Sequence, residues 1–390
     1  MLKSIFAIVI VLFLIASTSA HASLRGESKL DSLPSKILGE KRELIVRLPN
    51  NYYQNTDLSY PVLYLLDGQR NFSHTAGTLD FLNQDGKSQE MIIIAIKNTH
   101  RSRDYTPTYD ENYNRWGTSG GADNFLDFIE KELVPYVNKN YRANNFKILS
   151  GHSLGGLLAL YSLQSRPHLF QAHFAFSPSI WWHNQVIMEN AKTFFGTDTA
   201  LNNFLYINLG NETGNMLTAF EVYTEILKTN ARSEFSYHAD IDVNESHGTT
   251  ALIGQTHAFR HLYRSLQCPD EIIAQGLPAI NAYYKKQSDK FGYPIQASYR
   301  AINSAGYNAL KAKNFAKAIE IFRINVENYS YKADAYDSLA DGLEANGQLN
   351  EALKMREMTI QKSLIENVEN NAYKTRLINL KALISQQSSM

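Results

Sequence analysis

The sequence predicts an α/β fold, a mostly parallel central sheet with helices on both faces, followed by a small all-α repeat module. Three observations carry this. Short apolar runs of strand length alternate with helical stretches between residues 44 and 242, the pattern of parallel strands joined by crossover helices. One run leads through a tight glycine-flanked turn straight into a helix. From about residue 296 strand-like runs vanish and the sequence becomes helical.

The amino-terminal segment stands apart from the fold. Lys3 supplies a positive charge, residues 5–15 form an apolar run too short for a comfortable span, and Ala20-His21-Ala22 offers a small-x-small cleavage site. Residues 1–22 therefore read as an export signal, which places the protein in the periplasm or outside the cell with no stable membrane anchor after cleavage. Cys268 is the single cysteine, so the exported chain has no intramolecular disulfide and relies on its core. Its surroundings do not resemble an activated thiol site.

The 390 residues are 44% apolar and 19% charged, enough for one large core plus a smaller module. Lysines and arginines number 38 against 38 acids, without a dense basic stretch, which argues against nucleic acid or an acidic membrane as partner. A small neutral or mildly polar substrate fits better.

Strands are predicted at 44–48, 62–66, 91–96, 146–149, 173–176, 204–209 and 235–242. A helix is predicted over 124–138, where Phe125, Phe128, Ile129, Leu133, Tyr136 and Val137 recur at helical spacing. These elements give a catalytic domain over 23–275 and a helical linker over 276–295. In the module at 296–390, the segment 314–322 aligns with 348–356 at an offset of 34. Ala318 and Ala352 fall at a small-residue packing position, and Gly306 and Ala340 at another, as in tetratricopeptide repeats. Arg356 stands where a large apolar residue is usual. Two repeats rarely stand alone, so they should dock on the preceding domain, with 372–384 as a closing helix. A protein or peptide partner is a further possibility that such repeats open.

The glycine turn carries the chemistry. Gly151-His152-Ser153-Leu154-Gly155 follows the apolar run 146–149 and precedes a helix that stops at Pro167. A serine on so sharp a strand-to-helix turn exposes its Oγ, and the turn needs small residues two positions before and after it. The new helix also aims backbone N–H groups at charge developing near that oxygen, and Leu154 would donate one of them. The second oxyanion donor is the N–H of Gln69, after the strand at 62–66 and the turn Asp67-Gly68, with Gly68 giving the freedom to turn it inward.

Such a serine needs a base, and the base an orienting acid, following it in the chain as acid and then histidine. Glu212 lies on the loop beyond the strand at 204–209, and His247 on the loop beyond 235–242. The alternatives are Asp240 or Asp242 as the acid, with Glu212 capping a helix, and His152 or His257 among the other histidines. Trp181 and Trp182, beyond the strand at 173–176, are candidates for substrate-pocket wall, although one of them could pack into the core.

On these residues the chain resembles the esterase D family of α/β-hydrolases, which includes S-formylglutathione hydrolases, enterochelin-type siderophore esterases and mycolyltransferases. The resemblance runs from about residue 40 to residue 266. It rests on the stretches 43–49 and 60–68, on Asn98 with 103–107, and on 132–137, 151–156, 177–182 and 245–248. It implies the α/β-hydrolase fold, a triad of Ser153, Glu212 and His247, and no metal or organic cofactor. Many members have aspartate as the acid, and the compact ones lack the carboxyl-terminal helices. The expected activity is that of a serine esterase on carboxylic esters. The alternatives are a ferric-siderophore (triscatecholate) esterase in iron uptake and, from another class, a peptide-binding repeat protein on a non-catalytic hydrolase scaffold.

Overall fold

The computed structural model describes residues 27–50, 52–53, 56–196, 201–366 and 370–388; the export signal read at 1–22 lies outside them. Among the described residues no helix is long and apolar enough to cross a membrane.

Eight strands form one sheet: β1 (Ser28–Ser35), β2 (Glu40–Arg47), β3 (Tyr60–Leu65), β4 (Ile92–Ile96), β5 (Ala143–His152), β6 (Ala172–Phe176), β7 (Phe204–Leu209) and β8 (Ser236–Ile241). Their order is β1-β2-β4-β3-β5-β6-β7-β8. β2 is antiparallel to both β1 and β4, and every pair from β4 to β8 is parallel. The seven predicted strands are all present. β1 is an eighth, and its polar sequence with Pro34 carries no apolar alternation. Among the described residues it pairs with β2 alone, as an edge strand, where proline is tolerated.

One face of the sheet is covered by the helices Ala122–Phe128, Leu154–Ser165, Ile187–Phe195 and Asn215–Asn230. The stretch predicted as a single helix over 124–138 is broken by a π turn, Ile129–Leu133, before Val134–Asn140 resumes. Pro135 has no N–H for the regular ladder, and the Val134 N–H reaches back five residues to the Ile129 carbonyl.

The other face carries the helices Gly68–Gln84 and Thr250–Leu262, together with Leu277–Phe291 and Tyr299–Lys311. The carboxyl-terminal region thus shares an apolar core with the sheet: Leu63, Leu65 and Ile148 belong to one buried cluster with Ile280, Ala301, Ile302 and Ile321. Phe146, early in β5, meets the rings of Phe291 at 5.4 Å and Tyr293 at 5.7 Å. That junction lies toward the start of β5, whereas Ser153 follows its far end. Phe291→Ala is accordingly expected to destabilise the fold by about 3–4 kcal/mol with kcat for an ester substrate unchanged. Urea unfolding beside steady-state kinetics checks both halves, and a matching loss of kcat would tie the helices to the chemistry.

Beyond residue 312 the helices Phe315–Asn328, Ala333–Ala345, Leu349–Ile365 and Asn371–Ser388 follow in sequence, each packed on its predecessor. Gly306 lies under the Phe322 ring, where a Cβ would come within 2.4 Å of it, and Ala318, Ala340 and Ala352 are fully buried. Arg356, 34 residues after Phe322, is buried too. Carboxylates of Asp337, Asp341 and Glu344 surround its guanidinium, which satisfies a charge where an apolar ring would otherwise fill the space.

His173 in β6 is fully buried against the edge of Phe170, and burial pushes its pKa down to about 3. It folds neutral, whereas in the unfolded chain it takes a proton near its ordinary 6.5. The stability it contributes is complete above pH 6.5 and is lost progressively as the pH falls toward 3. His173→Leu is expected to move the acid-unfolding midpoint to lower pH by circular dichroism; an unmoved midpoint would clear this residue.

Candidate active site

Ser153 sits between β5 and the helix Leu154–Ser165 at φ 60°, ψ −117°, a conformation that side chains rarely adopt. Its N–H donates to the Phe176 carbonyl at 2.9 Å, and its carbonyl accepts from Leu157 and Ser179 N–H at 2.9 and 3.1 Å. The flanking glycines have a steric cause. A Cβ on Gly151 would lie 2.3 Å from the Gly155 carbonyl oxygen, and one on Gly155 would lie 3.3 Å from Asp67 Oδ2. The first cannot be relieved without opening the turn.

The structure brings Ser153, His247 and Glu212 together. Ser153 Oγ lies 3.1 Å from His247 Nε2 and 3.2 Å from Ser179 Oγ. His247 Nδ1 is hydrogen-bonded to Glu212 Oε1. The other carboxylate oxygen accepts the Ser177 hydroxyl at 2.7 Å and the Gly210 N–H at 3.2 Å. The two loops are tied by the Asn211 N–H, which donates to the Glu245 carbonyl at 2.6 Å. Burial alone would raise the Glu212 carboxyl, but hydrogen bonds from His247 and Ser177, with the Gly210 N–H, hold it below its ordinary value.

Neither alternative aspartate takes that place. Asp240 accepts from Tyr206 OH at 3.1 Å and lies 2.9 Å from His238 Nε2; Asp242 accepts from Asn208 Nδ2 at 2.6 Å. Nor does a competing histidine reach the serine in these contacts. His257 faces Asp242, and His152 Nε2 lies 2.5 Å from the His247 carbonyl, its ring 4.7 Å from the His247 ring. Burial, with His247 adjacent, pushes the His152 pKa down to about 4. It is therefore a neutral donor to that carbonyl at neutral pH.

Leu154 is the first residue of its helix and Gln69 the second of Gly68–Gln84, so both N–H groups belong to first turns, where helix geometry supplies no acceptor. Gly68 is not the left-handed residue of that turn: Asp67 is, at φ 53°. Gly68 is required for another reason, since its Cβ would fall 2.8 Å from the Ala95 backbone of β4. The Asp67 carboxylate takes two hydrogen bonds from Arg101, at 2.7 and 3.1 Å, and another from Asn98. Arg101 also donates to the His152 carbonyl at 3.0 Å. Tyr105 OH donates to Asn98 Oδ1 at 2.7 Å. This network joins the turn at Gln69 to the turn at Ser153.

The tryptophan pair divides. Trp182 is fully buried, with its Nε1 3.3 Å from both Thr108 oxygens and Tyr113 4.9 Å from its ring. It is core and not pocket wall, because the left-handed residues His183, Asn184 and Gln185 turn the chain sharply after it. Trp181 remains partly exposed beside Tyr113.

Sequence reasoning missed Ser177, Ser179 and the Asp67–Asn98–Arg101 network. Ser177 had a signal, a polar residue at a strand end before Pro178, but its bond to Glu212 spans 35 residues.

Comparison with known proteins agrees with this architecture. The family model described as "Putative esterase" matches residues 35–233. Ferri-bacillibactin esterase BesA of Bacillus subtilis is 32% identical over 157 residues, 35% of this chain and 53% of that protein, so the match spans about half the relative's length. The crystal structure of an IroE-like serine hydrolase from Shewanella oneidensis superposes with a TM-score of 0.64 at 28% identity, covering 74% of this chain and 95% of that one. An uncharacterised protein from Capnocytophaga ochracea, 16% identical, shares the fold over 91% of this chain and all of its own, with a TM-score of 0.61. With its mostly parallel eight-stranded sheet, matched family model and serine-hydrolase neighbour, this chain belongs to the esterase family of α/β-hydrolases.

Proposed function

We propose that the protein is a carboxylic ester hydrolase working through an acyl-enzyme on Ser153. The observation that carries this is the continuous hydrogen-bond chain from Ser153 Oγ through His247 to Glu212. His247 Nε2 takes the hydroxyl proton as Ser153 Oγ attacks the acyl carbon, and the Glu212 carboxylate supports the imidazolium through Nδ1–H. The N–H groups of Leu154 and Gln69 receive the oxyanion, and Asp67 with Arg101 holds the two turns in register. His247 then protonates the leaving alcohol; water attacks the acyl carbon as His247 takes its proton, and that proton passes to Ser153 Oγ as the acid leaves.

Labelling with an alkyl fluorophosphonate tests the nucleophile. A single adduct that peptide mass spectrometry maps to Ser153, blocked by prior incubation with an ester substrate, is the expected result. An unlabelled protein, or an adduct on Ser179 alone, would overturn it.

A ferric-siderophore esterase is the more specific reading, and the similarity to the ferri-bacillibactin esterase favours it. Arg70 supports an anionic substrate, since its guanidinium donates to the Gly248 carbonyl at 3.1 Å, next to His247. Hydrolysis of an iron(III)-loaded triscatecholate triester, followed by mass spectrometry of the released monomers, distinguishes it from a general esterase. The helices after residue 296 read as tetratricopeptide-like repeats, supported by the 34-residue offset and the buried small residues, and offer a surface for a peptide partner. Export rests on residues 1–22 and places the reaction in the periplasm or outside the cell.

A further inference from the structure

His238 and Asp240 alternate along β8 and therefore point to one side of the strand, and Asp242 follows directly after its end. His257 and His261 are one turn apart on the helix Thr250–Leu262, which packs against the neighbouring strands β6 and β7. The pattern H-x-D on the strand, with a further aspartate just past its end, thus meets H-x-x-x-H on the helix. The rings of His238 and His261 stack at 3.5 Å between centroids, 20° from parallel, and His257 Nδ1 lies 3.8 Å from Asp242 Oδ1. Ligand atoms of His238, Asp240 and His261 all lie within 4.8 Å of one another, on half-buried residues. Tyr206 stacks on both imidazoles at 5.9 and 6.0 Å, and its hydroxyl donates to Asp240 Oδ2.

Two imidazoles and one carboxylate gathered this closely form a donor set for borderline divalent ions. The Tyr206 hydroxyl fixes one carboxylate oxygen, as outer partners of metal ligands do. Arg264 is a nearby opposing cation, and Asp242, paired with His257, adds negative charge.

We propose that His238, Asp240 and His261 form a binding site for a divalent transition ion of the Zn²⁺ class, separate from Ser153 and independent of the esterase reading. Zinc–nitrogen and zinc–oxygen bonds of about 2.0–2.2 Å require the donors to close to roughly 3.4 Å, which rotation of the stacked rings supplies. Water completes the coordination. The ion would clamp the sheet's last strand to the following helix, on either side of the loop that carries His247.

Calorimetric titration of Zn²⁺ into untagged, EDTA-treated, dialysed full-length protein tests this. One saturable site per chain with a micromolar or tighter Kd, and a Tm that rises with Zn²⁺, is the expected result. His261→Ala should weaken binding at least 10-fold, while His168→Ala, a surface histidine paired with Glu130, should keep it. A second measurement avoids any folding defect: Co²⁺ added to the unaltered protein should give the visible d–d absorption of a low-coordinate site. No saturable Zn²⁺ binding, no Co²⁺ band, or full affinity in a folded His261→Ala variant would each overturn the proposal.

Discussion

Ser153→Ala is expected to lower kcat/KM for p-nitrophenyl butyrate by about 10⁴- to 10⁶-fold, with the Tm shifted by no more than about 2 °C. The rate falls because no acyl-enzyme can form and the proton that His247 accepts is gone. The fold survives because the elbow is held by backbone bonds to Phe176, Leu157 and Ser179, which alanine keeps. Among the described residues the Ser153 hydroxyl bonds to the side chains of His247 and Ser179. Initial rates at saturating ester and a thermal melt of the same preparation check both halves. Retention of more than about a tenth of the wild-type rate would remove Ser153 from the mechanism and turn attention to Ser179.

Glu212→Gln is expected to lower kcat by about 10³- to 10⁴-fold at pH 7. An amide no longer stabilises the imidazolium formed in the transition state, and it competes for the ring tautomer that His247 needs. The amide also breaks a balanced acceptor, since Glu212 Oε2 takes bonds from Ser177 and from the Gly210 N–H. Hydrogen bonds from His247, Ser177 and the Gly210 N–H hold the folded carboxyl below its ordinary value. The stability it adds is lost only as the pH falls through the depressed pKa. Asp240→Asn and Asp242→Asn should cost far less, because those carboxylates bind Tyr206 and Asn208. If Asp242→Asn were the crippling change and Glu212→Gln the mild one, the acid assignment would be wrong.

The elbow is legible in the sequence because its requirement is steric and local: a glycine, three residues, and a second glycine between an apolar strand and a helix. Glu212 and His247 are legible through topology, since parallel strands deliver their following loops to one rim of the sheet. What escapes is set by long-range pairing. Arg101 and Asp67 are 34 residues apart, and their ion pair leaves no periodic mark. The Trp182 indole reads as pocket wall until three consecutive left-handed residues turn it inward. The π turn before Val134 follows from Pro135, but helical periodicity continues across it and hides the break. Arg356 looks like a defect in a repeat until three carboxylates are seen around it.

β1 has a consequence beyond completing the sheet. A bare outer strand is a template on which another molecule's backbone can add, and the next strand inward, with Leu44 and Val46 fully buried, would be a sticky one. Lys29, Asp31 and Pro34 line the margin that stands there instead, and the proline offers no donor to an incoming chain. The least strand-like stretch in the protein thus guards it against self-association, and making that stretch more hydrophobic would favour aggregation.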